Sequence, residues 1–373
     1  MAKRLYFVAG EASGDEHGAA LMRALRALRS DLDFSGRGGP QMKKIAHHDF
    51  TDWIDAAAVV GLWEVVKRYG YFREQFAGTL REIARINPDA VILVDYPGFN
   101  LRVARALRKK SRHLKIIYYI SPQVWAWHRG RIGEMARYLD LMLCIFPFEA
   151  DLYNQSGLRT VFVGHPMMES LAARRTGEPR QGNLVGLFPG SRFREVRKIF
   201  PIMLKAAEEL MARAPATHFE VAAASEALAV EIRKIALASA QRERMRVVVA
   251  DASGTMQRAS AGMVASGTAT LEAAYFRLPF VLIYKVSWPT YFAARLLMES
   301  KYLGMPNVLA GREIMPEFIQ HEARAQAIAA AVVQLMNDNP TRERMISEFD
   351  AIIAKLGESG ASAKAARAIL EAV

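Results

Sequence analysis

The chain alternates short apolar runs with longer runs of helical period, and midway along its length the alternation stops and begins again. The runs "KRLYFVAG" (residues 3–10), "DAVILVD" (89–95), "LKIIYYIS" (114–121), "LDLMLCIF" (139–146) and "TVFVGHP" (160–166) read as strands. Between the first two, "GAALMRALRALRS" (18–30) reads as an amphipathic helix with Leu21, Leu25 and Leu28 on one side. Apolar strands separated by helices imply a parallel sheet covered on both faces. The polar, turn-rich "RRTGEPRQGN" (174–183) suits a linker, after which "LVGLFPGSRFREV", "HFEVAAA", "RVVVADA", "AGMVASG" and "LPFVLIYKV" supply a second set of strands. The expected organisation is α/β throughout: a domain over 1–170, a second over 171–340, and a helical tail over 341–373. That tail is expected to pack back across a domain or a partner chain.

At 373 residues the chain is long enough for two such cores. A content of 51% apolar and 24% charged residues excludes a disordered or low-complexity class. The single cysteine, Cys144, lies in an apolar run and reads as a small buried side chain in a reducing compartment. No apolar stretch is long enough to span a bilayer, and the N-terminal run turns acidic too soon for a signal peptide. The expected location is the cytoplasm or a membrane surface facing it. A net charge of +12 favours anionic lipid or phosphorylated substrates, or else a solvated basic surface. No nucleic-acid motif accompanies it.

Ligands of open α/β sheets bind beyond the carboxyl ends of the strands, and several motifs fall there. In "FVAGEASGDEHG" (7–18), Gly10, Gly14 and Gly18 are four apart rather than in a dinucleotide spacing, and Glu11 and Asp15 would repel a diphosphate. A hydroxyl-bearing ligand fits better, with Ser13 and Asp15 on its side. Asp95 ends a strand in "ILVDYPGFN", either at the same edge or as a cap for a helix beginning near Asn100. In the second half, Gly190, Ser191 and Arg192 stand where a strand passes into a helix, a place favourable for an anion or an ordinary connecting loop with a surface arginine. Ser266, Gly267 and Thr268 repeat the arrangement, with Glu272 one turn later on the same face and suited to ribose hydroxyls. Simple N-capping by Ser266 or Thr268 is the alternative there. Neither loop matches the Walker pattern.

The segments "VAGEASGD", "VDYPGFN", "SPQVWAW", "VGHP", "LFPGSR", "SGTATLEAA" and "MPNVLAGRE", in this order over residues 5–313, resemble the lipid-A-disaccharide synthase family. The resemblance implies a GT-B fold, with two Rossmann-like parallel-sheet domains facing across a cleft. It also implies transfer of 2,3-diacylglucosamine from its UDP derivative to 2,3-diacylglucosamine 1-phosphate (lipid X), forming a β-1,6-linked disaccharide 1-phosphate and UDP. The enzyme would be inverting, with no cofactor and no metal. By the same resemblance Asp95 and Glu11 are the catalytic carboxylates, Arg192 binds the diphosphate, and Asn307 joins Gly190, Ser191, Ser266, Gly267, Thr268 and Glu272 on the UDP-sugar side. The glycines of the first loop are expected to admit an acceptor sugar. His17 is either a base or a solvent-facing helix-start residue. Where some members carry a second acid, this chain has Gly98.

The substrates are greasy, and two stretches suit an anionic lipid surface. Val59, Leu62, Trp63, Val66, Tyr69 and Phe72 recur at helical spacing among basic residues, and Trp288 heads a second such stretch. Packing of the first stripe into a domain core is the alternative. The expected partners are therefore the two acylated sugars and the cytoplasmic surface of the inner membrane, with a homodimer as an option, but no nucleic acid. The rival activities are a UDP-N-acetylglucosamine-type 2-epimerase, another UDP-sugar glycosyltransferase and a non-catalytic nucleotide-sugar sensor.

Overall fold

Each apolar run expected as a strand is one, and the strands assemble into a separate sheet in each of two units. The computed structural model describes residues 3–46, 49–54, 69–127, 130–237, 239, 242–288, 291, 300–357 and 360–373. Met1–Glu169 and Leu356–Val373 make one unit, and Ser170–Lys355 make the other.

In the first unit the strands are β1 (Arg4–Ala9), β2 (Asp33–Gly38), β3 (Phe50–Asp52), β4 (Ala90–Val94), β5 (Lys115–Tyr119), β6 (Leu141–Cys144) and β7 (Thr160–Phe162). They lie in the order β3-β2-β1-β4-β5-β6-β7, every pair parallel. Centrally placed β4 has all five residues buried, as a strand covered on both faces must. In the second unit β8 (Gln181–Phe188), β9 (His218–Ala223), β10 (Met245–Val249), β11 (Ala259–Ala265), β12 (Phe280–Tyr284) and β13 (Glu317–Ile319) lie in the order β10-β9-β8-β11-β12-β13, again parallel. The supposed linker over 174–183 is not a separate connector, because Gln181, Gly182 and Asn183 already belong to β8.

The last helix, Ala361–Ala372, packs on the helix Ala12–Leu28 of the first unit and buries Ala365, Ala366 and Ile369. On that first helix Leu21 and Leu25 are buried as expected, but Leu28, at its last turn, is 49% exposed.

The first loop is shorter than its glycines suggest. The helix begins at Ala12 with Glu11 as N-cap, so Gly14 and Gly18 are helical. All three glycines face protein rather than ligand. A Cβ on Gly10 would lie 2.2 Å from the Tyr96 ring, one on Gly14 3.4 Å from the Ala9 side chain, and one on Gly18 2.6 Å from the Met42 sulfur. Gly10 admits the Tyr96 ring of the turn after β4, Gly14 packs on β1 and Gly18 on the helix Pro40–Ala46, which corrects the expectation that they admit a sugar.

In β2, Gly36 has φ +145° and would carry a Cβ 2.1 Å from the Phe7 carbonyl oxygen. Replacing it with alanine should cost more than about 1 kcal/mol, because the backbone conformation and the neighbouring strand both reject a side chain. Gly98, in the first turn of the helix Pro97–Lys110, has open space around its Cβ position. Gly98→Ala should leave stability unchanged or raise it by up to about 1 kcal/mol through helix propensity. Urea midpoints of the two variants test the contrast.

Candidate functional site

At the carboxyl edge of the first sheet, Asp95 directly follows β4, and its N–H donates to the Tyr119 carbonyl of β5 at 2.9 Å. Asp95 and Tyr96 both take left-handed conformations, with φ of 47° and 51°. Such residues cost on the order of 1–3 kcal/mol each and persist only where the surroundings over-determine them. Here the Tyr118 hydroxyl donates to the Asp95 carbonyl at 2.5 Å and the Asn100 amide at 2.7 Å. The helix starts at Pro97 with Tyr96 as its N-cap, so capping is not what Asp95 is held for.

Aromatic rings crowd this turn. The Trp53 centroid lies 4.9 Å from that of Phe99 and 6.2 Å from that of Tyr96, and Phe76 lies 6.2 Å from Phe99. Burial pushes the Asp95 carboxyl from its ordinary 3.8 up to about 6, the charge of Glu11 adds to this, and a hydrogen bond from the Tyr96 N–H opposes it. Glu11 itself is exposed at the start of the helix, as is Ser13. The fold thus brings together the two carboxylates singled out in the sequence, one half-buried and one exposed.

Asp15 does not join them. It is 3% exposed, and its carboxylate accepts from the backbone N–H groups of Gly39, Gln41 and Met42 at 2.9–3.0 Å. It caps the helix Pro40–Ala46, a structural role that leaves no face for an acceptor. His17 is half-buried rather than solvent-facing, and burial lowers its titration, opposed by Glu16. Met167 N–H donates to Nδ1 of the nearby His165, whose titration burial lowers to about 4, with His17 adding to the effect.

Several residues of this edge carry no signature in the sequence. Glu149 is wholly buried, accepting from the Ser121 hydroxyl at 2.5 Å, the Trp125 indole at 2.8 Å and the Phe146 N–H at 3.2 Å. Burial raises its pKa to about 7 against those three donors. The one available signal was its place two residues after Pro147, at a helix start.

In the second unit, Gly190, Ser191 and Arg192 do sit between β8 and the helix Phe193–Arg213. Gly190 has φ +110°, and Arg192 is 69% exposed at the helix N-cap. The position suited to an anion is taken by a side chain of the same helix. Glu195 accepts from the Ser191 N–H at 3.2 Å and from the Arg192 guanidinium at 3.1 Å. Its carboxylate lies 2.6 Å from the point a Gly190 Cβ would occupy, which gives that glycine its purpose.

After β11 come Ser266, Gly267 at φ +137° and Thr268, before the helix Ala269–Tyr275. Gly267 and Thr268 are exposed and Ser266 half-buried. The helical bonds of this turn start with Thr270 N–H to the Gly267 carbonyl at 3.1 Å, and Thr268 makes no side-chain cap. Glu272 is half-buried, its titration raised by burial and opposed by Arg174.

Asn307 is another correction. It is 0% exposed, its amide nitrogen donates to the Met315 carbonyl and to Glu317, and its oxygen accepts from the N–H groups of Ile314 and Met315. With both ends of the amide occupied, it fastens the helix Met305–Ala310 to the segment leading into β13 and offers nothing to a sugar.

Of the apolar stripe, Val59, Leu62, Trp63 and Val66 lie outside the described residues, as does the side chain of Tyr69. Phe72 packs against the first unit's core and edge-on to Tyr71 at 5.6 Å, so at this position the core alternative holds and the lipid-surface expectation does not. Trp288 is 54% exposed and meets Tyr291 edge-on. Among the described residues no helix is long and apolar enough to cross a membrane.

Residues 5–371 match the sequence model of a family described as lipid-A-disaccharide synthetase. A lipid-A-disaccharide synthase from Geobacter metallireducens is 38% identical over 379 residues, covering 99% of this chain and 97% of that protein. Among solved structures, a putative UDP-N-acetylglucosamine 2-epimerase from Listeria monocytogenes superposes with a TM-score of 0.63 at 13% identity, covering 100% of this chain and 96% of that one. The calicheamicin glycosyltransferase CalG4 gives 0.60 at 14%, covering 100% and 98%. These two likenesses concern the fold alone, which is of GT-B type.

The Glu195 contact makes a measurable prediction. A nucleoside diphosphate bound at this loop would compete with that carboxylate for the Ser191 N–H and Arg192. Glu195→Gln should therefore tighten UDP binding about 2- to 5-fold, the size of one charge at a helix N-terminus. Arg192→Ala should weaken UDP binding instead. Titration calorimetry with UDP reads both, and equal affinities in all three proteins would remove the diphosphate from this loop.

Proposed function

The chain belongs to the lipid-A-disaccharide synthase family, and from that premise we propose how its residues divide the work of a glycosyl transfer. The reaction moves 2,3-diacylglucosamine from UDP to 2,3-diacylglucosamine 1-phosphate, giving a β-1,6-linked disaccharide 1-phosphate and UDP. In our reading the acceptor's 6-hydroxyl attacks the anomeric carbon from the side opposite the diphosphate, with inversion. The new C–O bond forms as the bond to the diphosphate oxygen breaks, and the hydroxyl proton passes to Asp95. Such a base contributes on the order of 10²–10⁴-fold.

The observation that carries this reading is the desolvated carboxylate of Asp95 at the carboxyl edge of the first sheet, ionising at about 6. It is basic enough to take a proton and still largely ionised at neutral pH. Burial gives it this basicity, and repulsion by the Glu11 charge adds to it. The leaving UDP is assigned to the second unit, where Arg192 and the backbone of Gly190, Ser191, Ser266, Gly267 and Thr268 supply positive charge and N–H donors to the departing diphosphate. Glu272 is assigned to the ribose hydroxyls. Metal-independence is part of the proposal, since Arg192 offers the diphosphate a cation.

We also assign the protein to the cytoplasmic surface of the inner membrane, as a peripheral protein. Both substrates carry acyl chains, the net charge of +12 suits anionic phospholipid, and Trp288 is exposed.

Purified protein incubated with the two acylated sugars should release UDP and the disaccharide phosphate. Asp95→Asn should lower kcat by about 10²-fold or more while UDP affinity holds. In the wild type, kcat/KM should rise with pH through about 6 and then level off, because the base must be deprotonated. Glu11→Gln removes the neighbouring charge, so this limb should move to lower pH. The signs for stability are opposite. A carboxyl whose folded pKa lies above its unfolded value makes ionisation a cost to the fold, and Asp95→Asn should melt later than wild type at pH 8. A rate profile with no limb near 6 would reject Asp95 as the base.

A further inference from the structure

We infer that Tyr118 and Asn100 are positioning residues for the transfer, acting through the main-chain carbonyl of Asp95. The inference rests on the reading of Asp95 as the base. Two donors from different elements converge on that one oxygen: the hydroxyl of Tyr118, from β5, at 2.5 Å, and the amide of Asn100, from the helix Pro97–Lys110, at 2.7 Å. Together they fill both lone pairs of the carbonyl. The carbonyl belongs to the peptide joining two successive left-handed residues, Asp95 and Tyr96. Rotation of that peptide would swing the Asp95 side chain, and the two donors oppose it.

Neither side chain is explained by core stability alone. Tyr118 is 0% exposed, and its only hydroxyl proton goes to this carbonyl, although phenylalanine would fill the same volume. Asn100 is also 0% exposed, and its amide nitrogen additionally reaches the Val94 carbonyl at 3.2 Å and the Val8 carbonyl at 3.4 Å. Its own oxygen is buried without a hydrogen-bond partner. The amide cannot be turned round, since its oxygen would then face three carbonyls. A buried acceptor left unpaired weakens the fold, so what Asn100 contributes is its donor. The titratable groups facing Asp95 are Glu11 from the end of the β1 loop, Tyr96 in its own turn and Tyr118 from β5.

The test uses the full-length protein with both acylated substrates and follows UDP release, with thermal unfolding measured on the same samples. Tyr118→Phe removes one oxygen, and Asn100→Leu removes the donor together with the unpaired acceptor at nearly constant shape. Each should lower kcat about 10- to 100-fold, the effect of displacing a reacting group by about 1 Å. KM for both substrates should stay within about 2-fold, as for a group that acts only on the chemical step. The acid limb of kcat/KM should move below that of wild type, because a relaxed turn admits water to Asp95. Combining the two substitutions should cost little more than the worse one alone, since both act through one atom.

Wild-type kcat in Tyr118→Phe overturns the inference, as does a loss of rate that merely follows the folded fraction with the acid limb unmoved. If Asn100→Leu does not fold, Tyr118→Phe alone decides. Asp95→Asn run in parallel separates the two levels. Wild-type activity in that variant defeats the reading of Asp95 as base, whereas an inactive Asp95→Asn beside a fully active Tyr118→Phe defeats only the positioning role.

Discussion

The packing of the Tyr96 ring on Gly10 organises the carboxyl edge of the first sheet. The ring lies where any side chain at position 10 would be, and the neighbouring Trp53 donates its indole N–H to the Ala9 carbonyl at 2.7 Å while meeting Tyr96 edge-on. The end of β1 and the turn after β4 are thereby locked into one body. Two consequences follow from this contact. Asp95 stands among aromatic rings and is desolvated, and Glu11, one residue after Gly10, lies close enough for its charge to be felt. A carboxylate made basic in this way owes its chemistry to apolar neighbours and to backbone geometry.

The carboxylate proposed as base and the arginine proposed for the diphosphate are treated in opposite ways. In the first unit Asp95 and His165 are half-buried and Glu149 is buried, and their titrations are displaced by desolvation. In the second, Arg192 is mostly exposed and its partner Glu195 shares a helix turn with it, an arrangement worth little while water surrounds it. A proton acceptor has to be tuned before substrate arrives. A cation for a departing diphosphate can remain solvated until the ligand itself excludes the water, at which point its attraction grows.

The sequence carried the alternation that defines both sheets, because strands buried on two faces must be apolar throughout. It did not reveal β2, whose "DFSGRG" is polar and glycine-rich, or the three-residue strands β3 and β13, whose "FTD" and "EFI" lack the apolar run that marks the equally short β7. At the site, the pairing of Glu11 with Asp95 and the two strand-to-helix loops were legible from residue type and position. Asp15 and Asn307 were misread for a shared reason. A polar side chain beside a ligand and one saturated by backbone groups look alike until the backbone is folded. The roles of Tyr118, Asn100 and Glu149 were invisible for the converse reason. Their partners lie up to 23, 92 and 28 residues away, and nothing in the residue types along the chain says which polar atoms will meet once it is folded.

The return of the chain to its first unit has a consequence for biogenesis. The helix Ala361–Ala372 covers the helix that begins at Ala12, and the His165 N–H is bonded to the Leu356 carbonyl, yet the whole of Ser170–Lys355 intervenes. During synthesis the first unit emerges early but lacks this helix until residues 361–372 have been made. The second unit, continuous in sequence, can close first, although its residues are made later. The unit that carries Asp95 is therefore finished only after every residue of the other unit has been made.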